Sequence, residues 1–527
     1  MALVSYGFGF FCAVLLLLYY IVPGRFQWRI LLAASVLFYG FAGPLWILYP
    51  AASSVSVWYL ARKIGSMTDQ YRNWVQKEQP DRTQKKAYNQ RLKARQKRFL
   101  ILGLLLNFGI LAILKYTNFL LSNVEGILHL AGISGEMEYA DWVLPLGISY
   151  YTFQSMGYLI DVYQRKYDPE KSLLRTALFV FYFPQLTVGP ISRFDRLKEE
   201  LYSPHRFSMD RLAAGGQRVL WGYFKKLVVA DRIGPAASMI TGSPEIYGGV
   251  YALLGIVGHV IQLYADFSGG IDIILGISEM FGIRLPENFD RPFSSRSLAE
   301  FWRRWHMTLM QWFREYIFFP VSTSQAARKL SAAAGRLAGK KAAGKVPVYL
   351  ASLTVWSVTG IWHGASWNWV LWGLANCVFM LLSQELSGLF RSLQSRFPFT
   401  DGRGYQCFQK VRTFFVFCLP WMFIYYPAAE VFPRLLGILK GEGLLSLMLG
   451  GYGTLMDTPD LIMILGLGVL FMALAGQICG NEGLKERLSR LPWPVSYGLS
   501  FVLFLILLVT GVYGRGYEAS QFIYNRF

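Results

Sequence analysis

Of the 527 residues, 54% are hydrophobic and 16% charged, where soluble domains carry about 25% charged residues. A soluble chain of this length divides into domains on polar tethers, and no Pro/Ser-rich tether is present, so an ordinary soluble enzyme is excluded. The net charge of +20 does not indicate nucleic acid as a partner: the basic residues concentrate between apolar runs, as in cytoplasmic loops that meet anionic membrane lipids.

The first apolar run, Ala2 to Pro23, lacks a positive leading region and is too long for a signal-peptide core, which predicts a retained span. Candidate spans follow at roughly 30–43, 44–61, 99–119 and 142–161, each suited to ~30 Å of hydrocarbon. Between Arg62 and Arg98 lie twelve Lys/Arg against three acids, which places that loop in the cytoplasm. Residues 120–141 carry Glu125, Glu136, Glu138 and Asp141 with no Lys or Arg, as on the outer side. The segments 162–172, 191–211 and 284–304 are basic again. Residues 173–190 lie between two basic loops, so they cannot make one simple crossing. A re-entrant pair broken at Pro184 and Gly189-Pro190 satisfies the count, and broken backbone at membrane depth survives only inside protein or beside a cavity.

Longer regions at 212–230, 246–283 and 347–384 hold further spans with re-entrant or broken helices, and single spans are expected at 411–431, 461–480 and 495–514. The fold class is therefore all-α: a polytopic helical membrane protein with about ten to twelve embedded helices around a central cavity or tunnel. Arg328 to Lys345 has six Lys/Arg and no acids, and reads as a cytoplasmic loop or surface helix. The expected divisions are 1–98 (first spans and basic loop), 99–385 (core) and 386–527 (last spans). No internal repeat is visible. Cys12, Cys377, Cys407, Cys418 and Cys479 show no metal or disulfide spacing and read as small apolar residues.

Chemistry concentrates at the histidines. His363 sits near the middle of 39 residues, Val346 to Gln384, without Asp, Glu, Lys or Arg. An ionisable group there is costly and marks a functional site, imidazole being the side chain suited to moving protons near neutral pH. A buried histidine bonded to a neighbouring helix is the alternative. The run as one helix is about 58 Å long, nearly twice the hydrocarbon thickness, so it bends, and Gly360 and Gly364 are the natural breaks. His306 lies in Phe301-Trp302-Arg303-Arg304-Trp305-His306. If helical, this stretch puts Trp302, Arg303, His306 and Met310 on one face; an interfacial aromatic-arginine anchor is the alternative. His259 reads as a helix–helix hydrogen-bonding group, and His129 and His205 as surface residues.

Asp266, Ser268 and Asp272 form a third cluster in a run otherwise apolar from 246 to 278. These acids need partners: they orient a histidine, bind a cation, or join a structural network with Arg303 or Arg304. No GxSxG elbow, HExxH, P-loop or helix-opening GxGxxG is present, and two histidines without further ligands make a poor metal site.

At these residues the chain resembles the membrane-bound O-acyltransferase (MBOAT) superfamily, most closely its bacterial branch of alginate O-acetylation and teichoic-acid D-alanylation proteins. The resemblance rests on Pro145 to Gln154, Phe183 to Ile191, Phe224 to Arg232, Asp266 to Gly269, Arg284 to Phe289, Trp302 to His306 and Trp362-His363-Gly364, in the family's order between about residues 100 and 385. It implies that His363 is a catalytic base and that His306 stands at a second motif position, filled in the family by Asn, Asp or His. Trp302, Arg303, Arg304, Trp305, Trp362, Asp266, Ser268 and Asp272 are the expected supporting residues, with no metal. The resemblance further implies a multi-pass protein of the cytoplasmic membrane and no bound cofactor. Its acyl donor would be acetyl-CoA or another acyl thioester, and a separate extracytoplasmic SGNH-type acetyltransferase would finish transfer to a polysaccharide. Two segments depart from the alginate-type pattern: Ile317 to Ser322, and the C-terminal Phe522 to Phe527. D-alanyl transfer to teichoic acid, and a transporter or flippase without acyl chemistry, are the competing expectations.

Overall fold

The computed structural model describes residues 2–133, 135, 137–397, 402–449, 466–470, 472, 491–514, 517 and 522. Among them the chain is helical with no strand beyond one isolated bridge. It forms two compact units, residues 1–215 with 277–286, and residues 216–276 with 287–527.

In the first unit the helices Tyr6–Ile21, Gly24–Gly40 and Leu48–Glu78 follow the expected early spans, and 99–119 is the middle of a 49-residue helix, Arg82–Leu130. The basic segment 62–98 is not an irregular loop: its charges ride on two helical arms that turn at Gln79 to Asp81. Asp81 caps the second arm, its carboxylate accepting from Gln84 N at 2.8 Å while Gln84 Oε1 accepts from Asp81 N. Trp74 and Tyr88 stack across the arms at 4.6 Å. His129, expected in an outer loop, lies in the last turn of the long helix.

Residues 173–190 are two short helices, Leu173–Phe181 and Phe183–Val188. The break falls at Tyr182, and Pro184 sits in the first turn after it, where a missing N–H costs nothing. Side chains satisfy the opened backbone: Gln154 Nε2 donates to Phe179 O at 2.6 Å, Phe183 N donates to Ser35 Oγ, and Gln185 Nε2 donates to Pro190 O.

The second unit holds a π-helix, Phe224–Ala230, the helix Asp231–Gly242, and a pair that runs Gln325–His363 and returns as Trp367–Glu385. The stretch 328–345 is helical, interrupted at Gly339 (φ 81°, ψ 175°). Over the expected span 411–431 the helix Arg403–Cys418 continues through a 3-10 turn, Leu419–Trp421, to Tyr425, and the break falls at Pro427 before Ala428–Lys440. The expected span 461–480 lies mostly outside the described residues, as does the C-terminus beyond Phe522.

Four described helices are long and apolar enough to cross a membrane: Arg82–Leu130, Val250–Met280, Arg403–Tyr425 and Trp493–Thr510. Trp367–Glu385 with Ser387–Arg396, bent by 44°, makes a fifth. Tyr6–Ile21 is a shorter apolar helix of 16 residues. Trp493–Thr510 leaves Phe501, Val502 and Val509 exposed, as a lipid-facing helix requires.

Candidate active site

His363, His306 and all the expected supporting residues lie in the second unit. Val250–Met280 carries His259 and the acids. Near its start His259 hydrogen-bonds Thr241 (3.0 Å) and Gln262 (3.1 Å) and stacks on Tyr425, the helix–helix role expected of it.

Asp266 and Asp272 meet a different set of cations from the one expected. Lys226 Nζ lies 2.6 Å from Asp266 and 2.8 Å from Asp231. Lys225 Nζ bonds Asp272 and, at 2.9 Å, Ser268 Oγ. Arg218 reaches Asp272 at 3.0 Å and grips Glu287 with both terminal nitrogens at 2.7 and 2.6 Å. Arg303 is exposed and Arg304 pairs with Glu300 at 2.8 Å, so neither joins these acids. The lysines come from the π-helix Phe224–Ala230, and glycines bring the helices together: a Cβ on Gly222 would stand 2.6 Å from Gly269 O. The C-terminal chain fastens to the same network, with Phe522 against Lys226 and Tyr517 Oη donating to Asp231 at 2.6 Å.

The Trp302–His306 stretch is not one helix. Leu298–Arg304 ends at Trp305, which is extended, and His306 takes a left-handed conformation (φ 47°, ψ 50°) before Met307–Phe313. Tertiary pairing imposes the break: Phe289 bridges Trp305, Asp290 N donates to Arg304 O, and Met307 N donates to Asn288 O, both at 2.9 Å. The shared face expected for Trp302, Arg303, His306 and Met310 therefore does not form. Trp302 packs instead on Trp356 (4.8 Å) and Trp372 (6.2 Å), and Trp305 on Phe289 and Phe301.

Asn288 is a residue that sequence reading did not single out, although it stands within the Arg284 to Phe289 motif. Fully buried, it places Oδ1 at 3.2 Å from Thr308 N, 2.9 Å from Thr308 Oγ1 and 3.1 Å from His306 Nδ1. A backbone N–H only donates, so the atom it meets is the amide oxygen, and the His306 Nδ1 facing that oxygen carries the proton. In the neutral ring Nε2 is then the lone-pair nitrogen, and His306 accepts a hydrogen bond there rather than donating one.

His363 is the last residue of its helix, and the chain breaks at Gly364, as expected. Its imidazole is 5% exposed, stacks on Trp369 at 5.2 Å and meets Trp372 edge-on at 5.0 Å. Trp362 lies against both imidazoles, 4.8 Å from His363 and 6.1 Å from His306 between ring centres. Phe267, next to Asp266, packs on His306 at 4.8 Å, so one helix turn links the ion network to the imidazole.

Gly360 and Gly373 let the two helices of this pair touch; a Cβ on Gly360 would stand 2.4 Å from Trp369 O. We expect Gly360→Val to destabilise the protein by about 2–3 kcal/mol, read as a lowered melting temperature in detergent. A variant as heat-stable as wild type would refute the close crossing. Among the described residues no group of His, Cys, Asp and Glu fits a metal ion.

A family model, membrane-bound O-acyltransferase, matches residues 168–334. A probable alginate O-acetylase of Azotobacter vinelandii is 30% identical over 376 residues, 71% of this chain and 67% of that protein. A peptidoglycan O-acetyltransferase of Helicobacter pylori is 28% identical over 383 residues, 67% of each chain. A teichoic acid D-alanyltransferase of Bacillus subtilis is 28% identical over 242 residues, 45% of this chain and 58% of that protein. The matched stretches thus span about two thirds of the O-acetylating relatives and less of the D-alanylating one.

Proposed function

The chain belongs to the membrane-bound O-acyltransferase family, and from that premise we propose that it passes acetyl groups from a cytoplasmic thioester across the membrane for O-acetylation of a cell-envelope or exported polysaccharide. The observation that carries the reading is the pair of buried imidazoles that both lie against Trp362, in aromatic surroundings.

In this reading the acceptor hydroxyl attacks the thioester carbonyl carbon, a C–O bond forms and the C–S bond breaks. His363 takes the hydroxyl proton and returns it to the departing sulfur, leaving an ester and a free thiol. His306, with its lone pair at Nε2, accepts from an N–H of the thioester donor and holds that donor in register. Enclosure by indole rings keeps water from competing for the acyl group. Acetyl-CoA suits the donor role and no cofactor is required. The protein sits in the cytoplasmic membrane, and a separate extracytoplasmic acetyltransferase of the SGNH type completes transfer to the polymer. Similarity to peptidoglycan and alginate O-acetylating proteins supports a polysaccharide destination.

The test is mass spectrometry of envelope and exported glycans from cells with and without the protein. Acetyl esters that vanish with the protein are the expected result. Loss of D-alanyl esters instead would move the chain to the D-alanylating branch, and no ester change would end the acyl-transfer reading.

A further inference from the structure

Acyl transfer builds negative charge on the carbonyl oxygen, and a donor must meet it. His306 does not supply one, because its proton points at Asn288. We propose that the indole N–H of Trp372 binds the carbonyl oxygen of the acyl thioester, flanked by the indole N–H groups of Trp302 and Trp421; this rests on the acyl-transfer reading above.

The three rings are 1%, 6% and 5% exposed for Trp372, Trp302 and Trp421. None of their Nε1 atoms has a hydrogen-bond partner among the described residues. One buried N–H without an acceptor is uncommon, since losing water without gaining a partner is unfavourable. Three such donors, two of them on rings packed against the third, are a feature of one place in the fold. Trp372 is their centre: 6.2 Å from Trp302, 5.4 Å from Trp421 and 5.0 Å from the His363 imidazole. Trp372 therefore adjoins the side chain that takes the hydroxyl proton, where a reacting carbonyl must sit, and Trp302 and Trp421 adjoin Trp372.

An indole has a donor and no acceptor, so its ligand is an oxygen with a lone pair, and an N–H left unsatisfied at rest gains most when that oxygen turns anionic. As the hydroxyl oxygen adds to the carbonyl carbon, the π electrons move to the carbonyl oxygen and the indole N–H holds it. Collapse restores the C=O bond and expels the thiolate, which takes the proton from His363. Phenylalanine keeps the ring packing and removes the donor, so it separates the two roles of a buried tryptophan.

The experiment uses membranes from cells making the full chain and its transfer system, with labelled acetyl-CoA as the donor probe. We expect Trp372→Phe to lower kcat about 100-fold with KM changed less than about three-fold, and Trp302→Phe and Trp421→Phe to lower it about ten-fold each. The three variants should still fold to near wild-type levels in detergent, because the void left by the smaller ring is partly offset by removal of a buried donor that lacks a protein acceptor. A Trp372→Phe rate within about two-fold of wild type overturns the proposal. So does a rate loss that comes with an equal loss of folded protein for all three variants. If wild-type membranes transfer no acetyl group at all, it is the acyl-transfer reading that fails.

Discussion

His363→Ala should remove acetyl transfer almost completely, with ester content at least about 100-fold below wild type at matched membrane levels, the usual scale for a lost general base. The side chain stacks on Trp369 and touches Trp372, so alanine also leaves a void in an aromatic cluster. His363→Gln fills most of that void, keeps hydrogen-bonding capacity and lacks a basic nitrogen. Equal loss in both variants points to proton transfer. Recovery of transfer in His363→Gln would sink the base assignment and leave His363 a packing residue.

The second large effect concerns stability rather than rate. Asp266→Ala should cost about 3–5 kcal/mol, because it strips one carboxylate from a lysine that is only 4% exposed and leaves that charge undercompensated. Replacing both partners, Asp266→Leu with Lys226→Met, should recover part of the loss: exchanging a buried ion pair for apolar side chains is often near neutral, but Asp231 then loses its lysine. The check is thermal unfolding in detergent together with transfer activity per folded molecule. Activity that tracks folded protein fits a network that holds helices together. Activity that stays lost in the stable double variant would show that Asp266 or Lys226 takes part in the chemistry itself.

Some of this architecture is written locally, and those parts were legible. The 39-residue uncharged run is too long for one straight crossing, and its break does fall at Gly364, with Gly360 at a close helix contact. Residues 173–190 had to be broken by charge topology alone, and only the position of the break, at Tyr182, needed the structure. The misread parts depend on distant partners. Nothing in Leu298 to Phe313 forbids a continuous helix; the break at His306 is imposed by Asn288 and Phe289. Likewise a network of Asp266 and Asp272 was expected with Arg303 or Arg304, at a separation along the chain similar to that of their actual partners, Lys225 and Lys226, so distance in sequence could not choose between them. A signal was present: two adjacent lysines inside the apolar run 212–230 and two acids inside another make a charge balance, whereas Arg304 has an acid of its own in Glu300.

The left-handed backbone at His306 bears on which residues can replace it. Apart from glycine, the side chains that enter this conformation most readily are Asn, Asp and His. They are the same three that the resemblance allows at the second motif position, so backbone geometry alone narrows that choice before any chemistry is asked of the residue. Natural variation there is then filtered twice, first by the turn and then by the reaction. A library of all substitutions at His306 should accordingly sort by protein level before it sorts by activity: Asn, Asp and Gly near wild type in the membrane, and Val, Ile and Thr depleted.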